Sequence, residues 1–403
     1  MHVAPTPAQH LRVLIVHSAY QQRGGEDSVV EAETALLRNQ GHQVSLLLRH
    51  NDEVKQLSLM DVAAQTMWSR ITTQQVREQV AVFKPDVIHV HNTLPLVSPS
   101  VFWAAAKAGV PVVQTLHNFR MLCPQATFLR EGRVCEDCVG RLPWPAVVHR
   151  CYRESAVQTG AVAVMLALHR GMGTYQHKVT RYIALNAFCK AKFVEGGLAA
   201  ERIDIKPNFV DWVPTPQWEK REGGLYIGRL SVEKGVQVLM QAMRLGPDHR
   251  LQVIGSGPFE TEMRDVAGAA YVGSQTLDQI MARLSRAAYL VLPSVCYEGF
   301  PRTLVEAFAN GVPVIASRHG SLQELVRDGQ TGLLCEPGDA QDLLDKIRWA
   351  DAHPQEMRRM GMAAREEYEQ RYTPERNGEE LLAVYRRAMR DVGAARLETG
   401  LDR

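Results

Sequence analysis

The sequence has no apolar run long enough to cross a membrane. Its longest nearly apolar stretch, residues 161–168, falls far short of the about 20 residues that a membrane-spanning helix requires. Residues 1–20 also lack the basic segment and apolar core of a secretory signal. We therefore expect a cytoplasmic protein, attached at most to the inner face of a membrane.

An excess of charge of one sign is also missing, and cysteine is scarce. Lysine and arginine number 46 against 44 acidic residues, so the formal charge of +2 favours no nucleic-acid partner. Hydrophobic residues at 45% and charged residues at 22% exclude a mainly disordered chain. Seven cysteines, an odd number, without an export signal indicate reduced thiols or metal ligands rather than a disulfide framework.

The chain is long enough for two hydrophobic cores, since one core stops growing below 403 residues. Short apolar runs alternate with helix-length segments, which is typical of parallel β-α-β units. The runs occupy residues 12–18, 43–48, 86–92, 111–117 and 182–186, and the pattern restarts at 225–229, 250–257, 288–294 and 312–317. This pattern predicts an α/β fold of two Rossmann-like parallel-sheet domains that face each other across a cleft.

We place the first domain at residues 1–206 and the second at 207–375, with residues 206–224 as the linker candidate. A cysteine-rich insertion, 123–151, interrupts the first domain, and a final helix, 376–403, is expected to pack back on it. Ligands of open parallel sheets bind outside the carboxyl ends of the strands, so functional residues are expected just after strands.

Two carboxylates flank a predicted strand-to-helix turn in the second domain. Glu298 precedes the turn, Pro301 marks the helix start, and Glu306 lies about one turn inside the helix. Free backbone N–H groups at such a helix start favour a phosphate, and Glu306 could reach past it to sugar hydroxyls. Both glutamates could instead be solvated surface charges, but the apolar neighbours of Glu306 disfavour this because an idle buried carboxylate is costly.

The Glu298-x7-Glu306 spacing resembles that of the retaining nucleotide-sugar glycosyltransferases of family 4, which have the GT-B fold. The stretch YIGRLSVEKG at 226–235 and the early pair Gly24-Gly25 add to the resemblance, which covers nearly the whole chain. It implies that the second domain binds a UDP- or GDP-sugar donor and that the acceptor approaches from the first domain. Without the resemblance, GSGPFE at 255–260 would suggest a dinucleotide enzyme, but Glu260 replaces the third glycine of that motif.

The resemblance also implies roles for individual residues. Arg229 and Lys234 would hold the donor diphosphate, Glu306 the ribose, and Glu298 the transferred sugar, which His117 would face from the first domain. The implied catalytic residues are His117, Arg229, Lys234 and Glu298. The implied donor-binding residues are Gly24, Gly25, Arg229, Lys234, Glu298, Gly299, Phe300, Pro301 and Glu306.

The sequence departs from the family at two points. Phe209 stands where relatives often carry glycine, which leaves Asn208 and Asp211 open as donor contacts, and Arg302 offers an additional phosphate contact. There is no Asp-x-Asp pair, by which many unrelated glycosyltransferases hold a metal, so we expect no catalytic metal. His89 and His91, two residues apart in a strand, are expected to line the cleft floor rather than to bind a metal.

Four cysteines, Cys123, Cys135, Cys138 and Cys151, follow His117 in the insertion. Cys135-x2-Cys138 has the spacing of a zinc knuckle, and the outer two cysteines could complete a tetrahedral structural site. The alternatives are reduced structural thiols or, less favoured, a disulfide. Cys189, Cys296 and Cys335 are expected to be packing residues.

A basic and apolar segment follows the cysteines. The run 161–168 lies among cationic residues, a combination suited to a membrane surface and equally to a core helix with solvated ends. The cationic residues are Arg150, Arg153, His169, Arg170, His177, Lys178 and Arg181. A membrane contact would favour a lipid-linked acceptor, or a growing oligosaccharide, in surface polysaccharide synthesis. A GT-B sugar-nucleotide epimerase or a phosphorylase is the alternative function.

Overall fold

The computed structural model describes residues 10–212, 214–219, 221–247 and 250–399. Two six-stranded parallel sheets, each with helices packed on it, confirm the predicted fold class. In the first half the strands are β1 (Arg12–Ala19), β2 (Gln43–His50), β3 (Val87–Val90), β4 (Val112–Leu116), the antiparallel hairpin β5 (Leu129–Arg130) and β6 (Arg133–Val134), β7 (Arg181–Ala184) and β8 (Ile203–Ile205). The sheet order is β2-β1-β3-β4-β7-β8.

The helices of this half connect the strands or cover the sheet. They are α1 (Gly25–Asn39), α2 (Leu59–Met67), α3 (Arg70–Phe83), α4 (Ser100–Lys107), α5 (Trp144–Val148), α6 (Ala156–Gly171), α7 (Thr174–His177) and α8 (Ala187–Glu195). Strands β3 and β4 are buried along their whole length, as expected of a parallel sheet covered on both faces.

The second sheet repeats this plan in the order β11-β10-β9-β12-β13-β14. Its strands are β9 (Gly224–Ile227), β10 (Leu251–Ile254), β11 (Tyr271–Gly273), β12 (Tyr289–Leu292), β13 (Val314–Ser317) and β14 (Gly332–Cys335). Its helices are α9 (Val236–Leu245), α10 (Glu260–Ala267), α11 (Leu277–Leu284), α12 (Arg302–Ala309), α13 (Gly320–Leu325), α14 (Ala340–Ala352) and α15 (Pro354–Arg371). The last helix, α16 (Pro374–Thr399), returns to the first sheet.

Helix α16 belongs to the core of the first domain. Leu381, Val384 and Tyr385 are fully buried there against strands β1, β3, β4 and β7. Lys206, at the exit from the first domain, donates from Nζ to the Oε1 atom of Glu33 at 2.8 Å and to Oδ1 of Asn377 at 3.1 Å. The two chain crossings between the domains are therefore hydrogen-bonded to each other.

The basic and apolar segment has two faces. Helix α6 buries Val162, Met165 and Leu166 and exposes Val157 and Val164. One side of the helix therefore belongs to the core, and the other side presents apolar residues at the protein surface. Within the ranges described above, no helix has both the length and the apolar character needed to span a bilayer.

Two of the cationic residues expected at this surface are held elsewhere. His169 is fully buried and bonded through Nε2 to the Met67 carbonyl oxygen at 2.9 Å. Arg181 donates to the carboxylates of Asp204 and Asp391. Of the two alternatives for this segment, a membrane surface or a core helix, these two residues therefore do not contribute to the first, because tertiary partners occupy them.

Candidate active site

A cavity of about 340 Å³ lies between the carboxyl ends of the two sheets, where ligands of parallel α/β sheets bind. Both domains contribute to its wall. The first domain supplies Gly25, Glu26, His117 and Leu185, and the linker supplies Asn208. The second domain supplies Tyr226, Ile227, Gly228, Lys234, Leu292, Pro293, Ser294, Glu298, Gly299, Phe300, Pro301, Arg302 and Thr303.

An ion pair lines the second-domain side of the cavity. Lys234 donates from Nζ to both carboxylate oxygens of Glu298, at 2.7 and 2.9 Å, and Ser294 Oγ donates to Oε1 at 2.6 Å. Burial by itself would raise the pKa of Glu298, but the Lys234 charge and these hydrogen bonds outweigh it and hold the pKa below its ordinary value. The carboxylate is therefore ionised at neutral pH, with a cation beside it.

The turn after Glu298 touches the first domain. A side chain at Gly299 would clash with the carbonyl oxygen of His117, so glycine alone permits this close approach. Asn186 Nδ2 donates to the carbonyl oxygen of Gly299 at 2.8 Å, and the Sγ atom of Cys189 lies 3.3 Å from the same oxygen. The chain segments that carry His117 and Glu298 are thus fixed against each other across the cleft.

Helix α12 starts at the cavity. Pro301, Arg302 and Thr303 line the cavity where the helix begins. The first turn of a helix leaves backbone N–H groups without intrahelical partners, and these groups and the helix dipole favour an anion. The N-terminal end of α12 and Lys234 together make this side of the cavity suitable for a phosphate.

Glu306 lies one turn further along α12 and is only 7% exposed. Burial raises its pKa, an effect that Arg302 partly offsets from a distance of 3.5 Å between Nε and Oε1. Arg302 Nε has no hydrogen-bond partner within the part of the chain that the structure describes, so this contact leaves a buried N–H donor of Arg302 unused. Oδ1 of Asp211, whose place as a donor contact was left open, lies 3.5 Å from Arg302 Nη2.

His117 is paired with His91 behind the cavity. The Nδ1 atom of His91 and Nε2 of His117 are 2.8 Å apart, and burial lowers the pKa of both rings well below the ordinary value, so both are neutral. The other nitrogen of His91, Nε2, lies 3.7 Å from Oε2 of Glu33, which favours a proton there. Nδ1 of His91 then accepts from His117, which leaves Nδ1 of His117 unprotonated.

Glu33, His89 and His91 are the one group of three metal-ligating side chains, over the described ranges, whose ligand atoms lie within 4.8 Å of one another. Lys206 already neutralises Glu33, and Nδ1 of His89 is bonded to the hydroxyl of Tyr385 at 2.8 Å. A buried ammonium beside the group disfavours a further cation. The expectation that His89 lines the cleft floor is wrong, since Tyr385 of α16 covers it and His89 is fully buried.

Glu26, in the first turn of α1, is a site residue that sequence reasoning missed. Its carboxylate lines the cavity and accepts hydrogen bonds from Tyr20 Oη at 2.9 Å and Asn118 Nδ2 at 2.7 Å. Burial raises its pKa, and these hydrogen bonds oppose the rise. An acidic residue in the first turn of a helix is also what the helix dipole favours, so the sequence alone gave no sign of a second role.

Three of the expected donor-binding residues do not line the cavity: Gly24, Arg229 and Glu306. Gly24 is the residue before α1 and donates its N–H to Asp27 Oδ2 at 2.7 Å. Arg229 follows β9 with an exposed side chain, and Glu306 lies behind Arg302. Gly25, Lys234, Glu298, Gly299, Phe300 and Pro301 do line it, as does Asn208, whose place as a donor contact was left open.

The sequence matches two family models that follow each other along the chain. Residues 24–208 match the glycosyl transferase 4-like domain, and residues 215–367 match glycosyl transferases group 1. Together the two models cover every strand of both sheets except β1, and all of the residues that line the candidate site.

Known proteins resemble the chain in sequence and in structure. Sulfoquinovosyl transferase SQD2 of Arabidopsis thaliana is 31% identical over 73% of this chain and 55% of its own length. Glycogen synthase of Mycobacterium tuberculosis is 33% identical over 70% of this chain and 64% of its own. The chain thus spans less than two thirds of either relative. Anabaena HepE, solved in complex with UDP-glucose, aligns over 96% of this chain and all of its own, with a TM-score of 0.61 at 18% identity.

Proposed function

We propose that this chain, a GT-B glycosyltransferase of the group 1 and 4-like type, moves a hexose from a nucleotide sugar to a saccharide acceptor with retention of configuration. The observation that carries this proposal is the cavity between the two sheets. It combines a helix start, the Lys234–Glu298 pair and a histidine from the opposite domain. HepE binds UDP-glucose in a structure of the same fold, which supports a UDP- or GDP-sugar as donor here.

In the proposed complex the donor lies along α12. The diphosphate occupies the helix start and takes Lys234 as its cation, while Glu306 and Arg302 receive the ribose hydroxyls. Glu298 lies at the cavity wall opposite His117 and holds hydroxyls of the transferred sugar. The exposed Arg229 reaches the diphosphate from the end of β9 by rotation of its side chain.

The proposed chemistry is a same-face substitution at the anomeric carbon. The bond from this carbon to the diphosphate oxygen breaks, and the acceptor oxygen bonds to the carbon on the face that the diphosphate leaves. A diphosphate oxygen takes the acceptor's proton, so no protein base is required. Negative charge grows on the diphosphate as the bond breaks, and Lys234, Arg229 and the α12 N–H groups stabilise it.

These cationic groups support catalysis without a divalent metal. They provide, from the chain itself, the compensation of diphosphate charge that Asp-x-Asp enzymes obtain from a bound ion. The transfer rate should therefore survive brief treatment with EDTA. An absolute requirement for Mg²⁺ or Mn²⁺ would contradict this part of the proposal.

The acceptor is proposed to be lipid-linked or a growing oligosaccharide, reached from the inner face of the membrane. Helices α5 and α6 pack together and expose Leu142, Trp144, Val157 and Val164 at or beside them, each by more than half of its surface. Between residues 141 and 170 the chain has four arginines and one acidic residue, Glu154. Apolar side chains among arginines match an anionic lipid surface.

A donor screen tests the proposed reaction. The protein is incubated with UDP- and GDP-sugars, release of nucleoside diphosphate is measured, and the anomeric configuration of the product is read by NMR. Diphosphate release from one donor with retention supports the proposal. Inversion, sugar-1-phosphate formed only with inorganic phosphate, or an altered sugar still attached to its nucleotide would each contradict it, the last two in favour of a phosphorylase or an epimerase.

Co-sedimentation with vesicles tests the membrane contact separately. Vesicles of phosphatidylglycerol and phosphatidylcholine should bind the protein, and Trp144→Ser with Val164→Ser should weaken binding. Met362→Ser, which removes an exposed apolar side chain from α15 in the second domain, is the matched control and should leave binding unchanged. Equal binding by all three forms, or no binding to anionic vesicles, would contradict the contact.

A further inference from the structure

The four cysteines of the insertion come together in the fold. Cys123, Cys135, Cys138 and Cys151 all line one small cavity between the β5–β6 hairpin and α5, separate from the candidate active site. Its volume of about 20 Å³ is room for one water-sized species. A single ion fits this space, whereas a cluster of several irons and sulfides does not.

The β5–β6 hairpin positions two of these cysteines. It leads straight into the Cys135-x2-Cys138 turn, and Cys135 N–H donates to the carbonyl oxygen of Phe128 at 2.7 Å. Two cysteines at the spacing of a zinc knuckle therefore lie on a backbone that is held by hydrogen bonding.

The backbone of the insertion is unusually constrained. Among the described residues, eight non-glycine residues have positive φ, and six of them lie between 126 and 154: Ala126, Phe128, Glu131, Arg150, Arg153 and Glu154. A residue with a side chain is strained in this conformation, which persists only where the surroundings hold it. A cross-link between the hairpin and the segment around Cys151 provides such a hold.

We propose that Cys123, Cys135, Cys138 and Cys151 bind one structural Zn²⁺ as thiolates, with release of their four thiol protons. A tetrahedral site with zinc–sulfur bonds of about 2.3 Å holds the sulfurs about 3.8 Å apart. No three of these sulfurs fall within 4.8 Å of one another in this structure, so their side chains turn inward on binding. The inference is independent of the proposed function.

The site would stabilise one wall of the active-site cleft. Leu129 of β5 packs on Val295 and Cys296, and the ring of Phe128 contacts Tyr297 with centroids 5.8 Å apart. These second-domain residues directly precede Glu298 in the chain. The ion would therefore fix the part of the first domain that contacts residues 295–297, which lie directly before Glu298.

Elemental analysis of the protein, purified without a polyhistidine tag or chelator, tests the proposal. About one zinc per chain is expected, and Cys138→Ser and Cys151→Ser should each lose most of it and unfold at lower temperature. The matched control is Cys335→Ser, a buried cysteine in β14 of the other domain, which should keep its zinc.

A second measurement keeps the test valid if the variants fail to fold. Wild-type protein loaded with Co²⁺ should show the intense visible absorption of a tetrahedral tetrathiolate, and its four cluster thiols should react with a thiol reagent only after the metal is removed. Zinc-free protein whose cluster thiols all titrate freely, a disulfide between any two of them, or full zinc content in both cluster variants would overturn the proposal.

Discussion

Substitution of the two glutamates at the α12 turn should separate donor binding from turnover. Glu306 is buried, and the Nε atom of Arg302 beside it has no hydrogen-bond partner among the described residues. Glu298 is already engaged, because Lys234 and Ser294 donate to it. The same substitution, Glu→Gln, is therefore expected to remove different interactions at the two positions.

At position 306 the expected loss is one charge-assisted hydrogen bond to the ribose. Such a bond contributes about 1.5–3 kcal/mol, which corresponds to roughly 10- to 150-fold weaker binding of the nucleoside diphosphate. At position 298 the substitution frees Lys234 from its partner, so diphosphate affinity should stay unchanged or increase. Turnover should fall instead, because the contact with the transferred sugar is lost while the sugar is positioned for attack.

Calorimetry with the free nucleoside diphosphate, beside turnover of the nucleotide sugar, measures both effects. The matched control is Glu262→Gln, which alters an exposed ion pair between Glu262 on α10 and Arg244 on α9 and should change neither quantity. Equal weakening of diphosphate binding by Glu298→Gln and Glu306→Gln, or unchanged turnover in Glu298→Gln, would refute the assignment of the two roles.

Two further predictions concern the contact between the domains and the buried histidines. Gly299→Ala should lower turnover and melting temperature, because its Cβ collides with the His117 carbonyl, whereas Gly160→Ala in α6, where the space is open, should be neutral or stabilising in the same melting and activity assays. Burial lowers the pKa of His89 to about 4, so the unfolded chain binds more protons as pH falls below about 6.5, and stability should drop by about 1.4 kcal/mol per pH unit from this histidine. Denaturant unfolding between pH 6.5 and 5 should therefore show a shallower decline in His89→Gln than in the wild type or the exposed control His177→Gln, and three equal slopes would contradict this account.

The sequence predicted the central strands well because their apolar runs are continuous. β3, β4, β12 and β13 are buried along their whole length, and each lies inside a predicted run. It missed β8, β11 and β14, each of which is an edge strand of its sheet. β8 and β11 are only three residues long, too few for a periodic pattern, and pairing with a neighbour defines them instead.

For the candidate site, the sequence predicted chemistry that is local in the chain and missed what depends on tertiary contacts. Residues 298–306 form one continuous stretch, so the helix start and both glutamates could be recognised from the sequence. The pairing of His91 with His117 joins two strands, and the Lys234–Glu298 pair joins two loops 64 residues apart. The sequence does not indicate that the side chain of Arg229 is exposed to solvent. Nor does it indicate that Glu26, in the other domain, lines the cavity.

The two chain crossings between the domains meet at one buried cluster of hydrogen bonds, which holds the domains in their relative position. The chain leaves the first domain after Lys206 and returns to it before Asn377. Lys206 Nζ donates to Asn377 Oδ1 at 3.1 Å, and Asn377 Nδ2 donates to the carbonyl of Pro207 at 2.7 Å. The charge partner of Lys206 is Glu33, which also faces His91 behind His117. The anchoring of both crossings is therefore linked, through one carboxylate, to the histidine pair at the cleft, and a change in charge at Glu33 would act on the domain connection and on the active-site wall at once.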